Sequence, residues 1–181
     1  CWTPPVVTRW ARHHFPLESD MPAQPLIVAA PDTRTSAPLN VVGETTLVKV
    51  GPADTDGQYA LCHLVAPPMS GPPLHVHSRE DECFYVLDGE LVFEVDDVCH
   101  TVGAGGTVAV TRGMVHRYQN FTDRDATLLI LTTPGHFAGF FIDISAITPP
   151  GGMPTMEQLL SLDAKYGLTT LGPPMLEPVA A

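Results

Sequence analysis

The stretch Gly71-Pro-Pro-Leu-His75-Val-His77-Ser-Arg-Glu-Asp-Glu82-Cys-Phe-Tyr-Val-Leu-Asp-Gly89 sets two histidines one residue apart, ahead of turn chemistry and an apolar run that opens on Glu82. In a β-strand side chains alternate with period two, so His75 and His77 share a face. A strand beginning at Glu82 can point its carboxylate into the same space. Imidazoles and carboxylates are costly to bury unless paired or ligated, so such a cluster needs a cause. A second stretch, Gly105-Gly-Thr-Val-Ala-Val-Thr111-Arg-Gly113-Met-Val-His116-Arg-Tyr-Gln-Asn120, brings another histidine on a strand. His75, His77, His116 and Glu82 together make a ligand set suited to a divalent transition metal. Glu80, in the acidic run Glu80-Asp81-Glu82, is the alternative carboxylate; spacing to Gly89 and continuity with Phe84 favour Glu82.

The two stretches resemble the paired motifs of the cupin superfamily. His75, His77, Glu82 and Gly89 match the first motif's spacing, and Gly105, Gly113, His116 and Asn120 match the second's. Two positions depart from the pattern. Met69 stands where the first glycine falls, with Gly71 two residues late, and Thr111 replaces the proline of the second motif. The resemblance covers roughly residues 40–135. Within the superfamily the chain is similar to small single-domain proteins of the bacterial quercetin dioxygenase type. That resemblance implies an all-β fold, a single antiparallel jelly-roll barrel, and oxygen chemistry on a hydroxylated aromatic or flavonol-like substrate.

The remaining sequence frames this barrel. At 181 residues the chain holds one domain with extensions. Its formal charge of −11 argues against nucleic acid and anionic membrane as partners. No apolar run approaches the roughly 20 residues that span a bilayer. The four cysteines, Cys1, Cys62, Cys83 and Cys99, lack Cys-x-x-Cys pairing and read as reduced thiols of a cytoplasmic protein.

Residues 1–40 are proline-rich and are expected to form an N-terminal extension packed on the barrel or on a partner, with Leu26-Ile27-Val28 as a short edge strand. Met21-Pro-Ala-Gln would make an ordinary protein start, so residues 1–20 are expected to be either an upstream extension or a remnant foreign to the native protein. Residues 41–135 form the barrel core, with strands recurring every 8–12 residues and no helix between them. The Glu82–Leu87 strand is apolar on both faces. Its outer residues Cys83, Tyr85 and Leu87 need cover from the N-terminal segment, the C-terminal helix or, most simply, a second copy in a homodimer. In Val115–Asn120, His116, Tyr118 and Asn120 share the inner face, while Arg117 and Gln119 share a polar one. Residues 136–181 complete the domain with two helices. One runs near Gly135–Ile142, from the i, i+3, i+4 spacing of Phe137, Phe140 and Phe141. The other runs from a capping box at Thr155-Met-Glu-Gln158 to about Tyr166, stopped by Gly167, and Leu168 to Pro174 then returns extended.

Three imidazoles and one carboxylate leave two positions of an octahedral ion for water, substrate or O2. The absence of cysteine from the motif disfavours structural zinc. Fe(II) is the first expectation, and Ni(II), Mn(II), Cu(II) and Zn(II) accept the same ligands. Glu82 and Tyr118 are the candidate catalytic residues. Phe84, Phe93, Tyr118, Phe137, Phe140 and Phe141 are the candidate substrate wall, apolar and free of Lys or Arg, which suits a neutral aromatic compound. His63 reads as structural and His136 as a surface residue. The competing readings are non-redox metal chemistry, as isomerase, lyase or hydrolase, and a non-catalytic small-molecule-binding barrel.

Overall fold

A computed structural model describes residues 26–177. Their elements run β1 (Leu39–Val41), β2 (Glu44–Val50), β3 (Ala60–Ala66), β4 (Leu74–His77), β5 (Asp81–Asp88), β6 (Glu90–Val95), β7 (Val98–Gly103), β8 (Thr107–Val110), β9 (Val115–Gln119), β10 (Ala126–Thr133), α1 (Ala138–Ile147), α2 (Met156–Tyr166) and β11 (Leu168–Gly172). Short 3-10 turns lie at Pro52–Asp54 and Gly135–Phe137. The strands form two antiparallel sheets, one ordered β1-β2-β3-β10-β5-β8 and the other β11-β4-β9-β6-β7. This is the all-β jelly-roll that the turn spacing predicts.

Alternation decides what lies between the sheets. Glu82, Phe84 and Val86 of β5 are buried, as are Leu128 and Ile130 of β10, Cys62 and Leu64 of β3, and Leu91 and Phe93 of β6. Tight turns hold the register. Asp96 and Asp97 both take positive φ, 48° and 67°, as a two-residue hairpin between right-twisted strands requires.

The helices follow their local signals. Thr155 accepts from the Gln158 amide while the Gln158 side chain accepts from the Thr155 amide, closing the capping box of α2, and Gly167 ends that helix with φ 71°. The first helix differs from its expected span. A 3-10 turn holds Phe137, and α1 then continues to Ile147 because Phe141 and Ile144 are buried as its inner stripe. No helix of the described residues is long and apolar enough to cross a membrane.

Three further features depart from expectation. Leu26-Ile27-Val28 is not a strand; Ile27 is 86% exposed and has no strand to pair with. The chain beyond it does lie on the barrel: the Arg34 amide donates to the Val48 carbonyl at 2.7 Å, and Lys49 Nζ donates to the carbonyls of Ala29, Ala30 and Asp32. Gln119 shares the Arg117 face of β9 but is buried there rather than solvated. The segment around Gly71 lies over it so closely that a Cβ on Gly71 would sit 2.7 Å from Gln119 Oε1. Finally, the tail beyond α2 is a working strand: β11 pairs with β4, matching Leu168 to His77 and Thr170 to His75. The barrel therefore reaches past residues 41–135 at both ends. Residues 1–20 and Cys1 lie outside the described residues, and Cys62, Cys83 and Cys99 are free thiols.

Candidate metal centre

Both sheets contribute to one cluster. On the five-stranded sheet, His75 of β4 lies directly opposite His116 of β9, and His77 follows on the same face of β4. Glu82 enters from the six-stranded sheet, where β5 is flanked by Val110 of β8 and Thr132 of β10. One ligand atom from each of His75, His77, Glu82 and His116 lies within 4.8 Å of the others. His77 and His116 are 2% exposed and Glu82 is 6%, whereas His75 keeps one edge toward solvent.

Backbone carbonyls fix two of the rings. His75 Nδ1–H donates to the Pro73 carbonyl at 2.8 Å, and His116 Nδ1–H donates to the Met114 carbonyl at 3.1 Å. A carbonyl can only accept, so each Nδ1 carries a proton and Nε2 is the nitrogen left to face the cluster. Glu82 Oε2 lies 3.0 Å from His116 Nε2 and 3.3 Å from His77 Nε2. A carboxylate oxygen that close to an imidazole lone pair needs a proton or a cation between the two acceptors. A divalent ion answers that need, since metal–nitrogen and metal–oxygen distances of about 2.0–2.2 Å span donors at these separations.

The charges follow the same arrangement. Burial pushes the Glu82 carboxyl up, but His77 and His116 outweigh it and hold Glu82 well below the usual carboxylate range. Burial of the His75 ring, helped by His116 and His77 against Glu82, pulls it down to about 4. His77 moves the other way: burial opposes its charge, and Glu82 and Glu80 together raise it. Two of the three imidazoles are tied to the backbone and the carboxylate is ionised, which is the protonation pattern metal ligation requires.

The predicted wall residues fall into two groups. Phe84, Phe93 and Tyr118 pack as one aromatic cluster, with ring centroids 5.3 Å apart for Phe84–Phe93 and 5.6 Å for Phe93–Tyr118. Phe84 reaches the centre, 6.2 Å from His116. All three are nearly sealed, Phe93 at 1% exposure. Phe137 meets His77 edge-on at 4.5 Å, and Phe140 and Phe141 stand behind Phe137 rather than on the cluster. His63 is half-buried on the outer side of β3 and His136 is exposed, so neither joins the centre.

Tyr118 does not spend its hydroxyl on the cluster. It donates to Glu44 Oε2 at 2.8 Å, and Ser70 Oγ donates to Glu44 Oε1 at 3.1 Å. Glu44 is 5% exposed, and burial pushes its carboxyl up to about 7 against the opposing donors Tyr118 and Ser70. This buried acid is absent from the sequence-predicted site. Its parity with Thr46 and Val48, both buried, is the signal that could have found it.

No protein of curated function matches the chain significantly. The fold is similar to that of a predicted oxalate decarboxylase from Thermotoga maritima, with 21% identity and a TM-score of 0.54 over 60% of this chain and 99% of that one. A sugar phosphate isomerase from a cupin superfamily, from Silicibacter pomeroyi, is similar at 25% identity and a TM-score of 0.45, over 56% of this chain and 69% of that one. These likenesses concern the fold. Residues 63–132, which carry all four clustered side chains, match the family described as the Cupin domain, and they lie within the two-sheet jelly-roll.

Proposed function

We propose that His75, His77, Glu82 and His116 hold one divalent transition-metal ion and that the protein is a metal-dependent dioxygenase acting on a hydroxylated aromatic compound. The observation that carries the metal reading is the convergence of four ligand atoms, one each from His75, His77, Glu82 and His116, within 4.8 Å of one another. The aromatic substrate class is supported by the apolar surroundings, Phe137 beside His77 and Phe84 beside His116, and by the resemblance to quercetin dioxygenases. Fe(II) is the first choice, with Ni, Mn, Cu or Zn accepted by the same donors.

When bound, the ion supplies Lewis acidity and, if redox-active, access to O2 that no side chain here provides. The chain's own residues do the rest. His75 and His116 are held in one tautomer by Pro73 and Met114, so their lone pairs are oriented before any ligand arrives. Glu82 stays ionised at neutral pH, and its carboxylate is the group placed to accept a hydrogen bond from a substrate hydroxyl. Phe137 shields His77 from water, and Phe84, Phe93 and Tyr118 form a rigid apolar floor. Tyr118 serves as part of that floor, its hydroxyl tied to Glu44.

The test is incorporation of labelled oxygen from O2 into product, with the protein loaded separately with Fe, Ni, Mn and Cu and offered flavonols and simpler dihydroxy aromatics. Incorporation with at least one metal is expected. Its absence with every metal, together with metal-dependent turnover under anaerobic conditions, would replace the oxygenase reading by a non-redox one.

A further inference from the structure

His77 differs from the other two histidines of the cluster. Neither of its ring nitrogens has a hydrogen-bond partner, although the residue is buried. Its Nε2 faces Glu82 and the cluster, at 3.3 Å. Its Nδ1, on the opposite side of the ring, faces Glu80 Oε2 at 3.6 Å, and that oxygen is likewise buried and unpartnered. Two orphaned groups of complementary chemistry thus look at each other just beyond hydrogen-bond range, and a shift of a few tenths of an ångström joins them.

Nothing else claims Glu80. It sits in an acidic run that would ordinarily be a solvated loop, yet it is 6% exposed. The neighbouring charges are Arg79, Asp81, Glu82 and Arg112. Arg112 is bonded twice to Asp81 at 2.9 Å, and Arg79 donates to the Lys165 carbonyl at 3.2 Å. A buried carboxylate oxygen left without a donor is expensive, so this placement needs a function. Glu80 is also no ligand, because it meets the far nitrogen of the His77 ring and lies outside the four-residue cluster.

Building on the metal reading above, we propose that Glu80 is the positioning residue for His77: its carboxylate accepts the Nδ1–H of His77 and fixes the ring with Nε2 turned to the ion. It does for His77 what the Pro73 and Met114 carbonyls do for His75 and His116, and it adds a second negative charge behind the ligand set. Partners of this kind orient metal-bound imidazoles and raise their basicity, and their loss commonly costs about 10–100-fold in metal affinity.

The experiment compares wild-type protein with Glu80→Ala and the near-isosteric Glu80→Gln, by Zn(II) titration against a chromophoric chelator. Imidazole N–H resonances are read in 15N-histidine-labelled protein, the His77 signal being assigned by its absence from His77→Gln. Glu80→Ala should weaken Zn(II) binding about 10–100-fold at unchanged stoichiometry and move the His77 N–H resonance upfield. Glu80→Gln, which keeps an acceptor oxygen, should recover part of both effects. An unmoved His77 resonance in Glu80→Ala overturns the proposal, whatever happens to affinity. The same resonance is read in metal-free protein, so a wild type that takes up no Zn(II) would refute the metal reading and still leave the Glu80–His77 contact decided.

Discussion

Met69, which stands where the resembled motif has glycine, has φ 59°, in the left-handed region that a side chain enters only at a cost. Gly71 is needed for a different reason, since a Cβ there would fall 2.0 Å from the Tyr118 carbonyl. The displaced glycine therefore serves close packing against the His116 strand, while the original position is strained. Glu44 is the residue whose titration should be most visible. Its folded value of about 7 lies above the ordinary 4.5, chiefly because of burial. Between those values the folded state holds a proton that the unfolded chain has released, so stability falls as pH rises. The contribution is fully present below about pH 4.5 and lost above about pH 7, and its upper bound is about 3 kcal/mol. Urea unfolding at pH 5 and pH 8 should show wild type losing more stability across this window than Glu44→Gln. Parallel pH profiles for the two proteins would contradict the assignment.

At the scale of elements, α2 is the piece most fully written in local sequence. Its capping box and its glycine stop both act within one turn, which is why both ends were legible. Thr155→Ala should cost about 1 kcal/mol in urea unfolding, and no measurable change would mean that the cap is idle. β11 was legible only as extended chain. Leu168-Thr-Thr-Leu-Gly172 becomes a strand through pairing with β4, a contact over 90 residues of chain that no local pattern records. Leu26-Ile27-Val28 shows the converse, strand-forming residues with no strand to pair with. The cluster His75, His77, Glu82 and His116 was readable because period-two alternation fixes which face each side chain takes. Glu44 was missed although its parity with Thr46 and Val48 was there to read, and Gln119 was missed because its cover comes from the Gly71 segment, remote in sequence.

At the scale of the whole molecule, the outer face of the six-stranded sheet remains to be covered. Tyr85, Leu129, His63 and Leu47 lie in register across four strands, with Cys83, Leu131 and Leu61 in the neighbouring row. Tyr85 and Leu87 on this sheet are 42% and 41% exposed. We expect this face to join two copies of the chain. Sedimentation at micromolar concentration should give a dimer, Tyr85→Glu should shift it toward monomer, and a wild-type monomer would contradict this reading. Inside, the two sheets meet at the four-residue cluster, and the central claim is that they meet around an ion. The most direct measurement is elemental analysis of protein purified without chelator or affinity metal, alongside His77→Ala and His116→Ala variants checked for retained β-structure. The account predicts about one equivalent of a divalent transition metal per chain in wild type and a large loss in both variants. A full equivalent retained in both variants, or none in wild type after reconstitution with Fe, Ni, Mn, Cu and Zn, would contradict it.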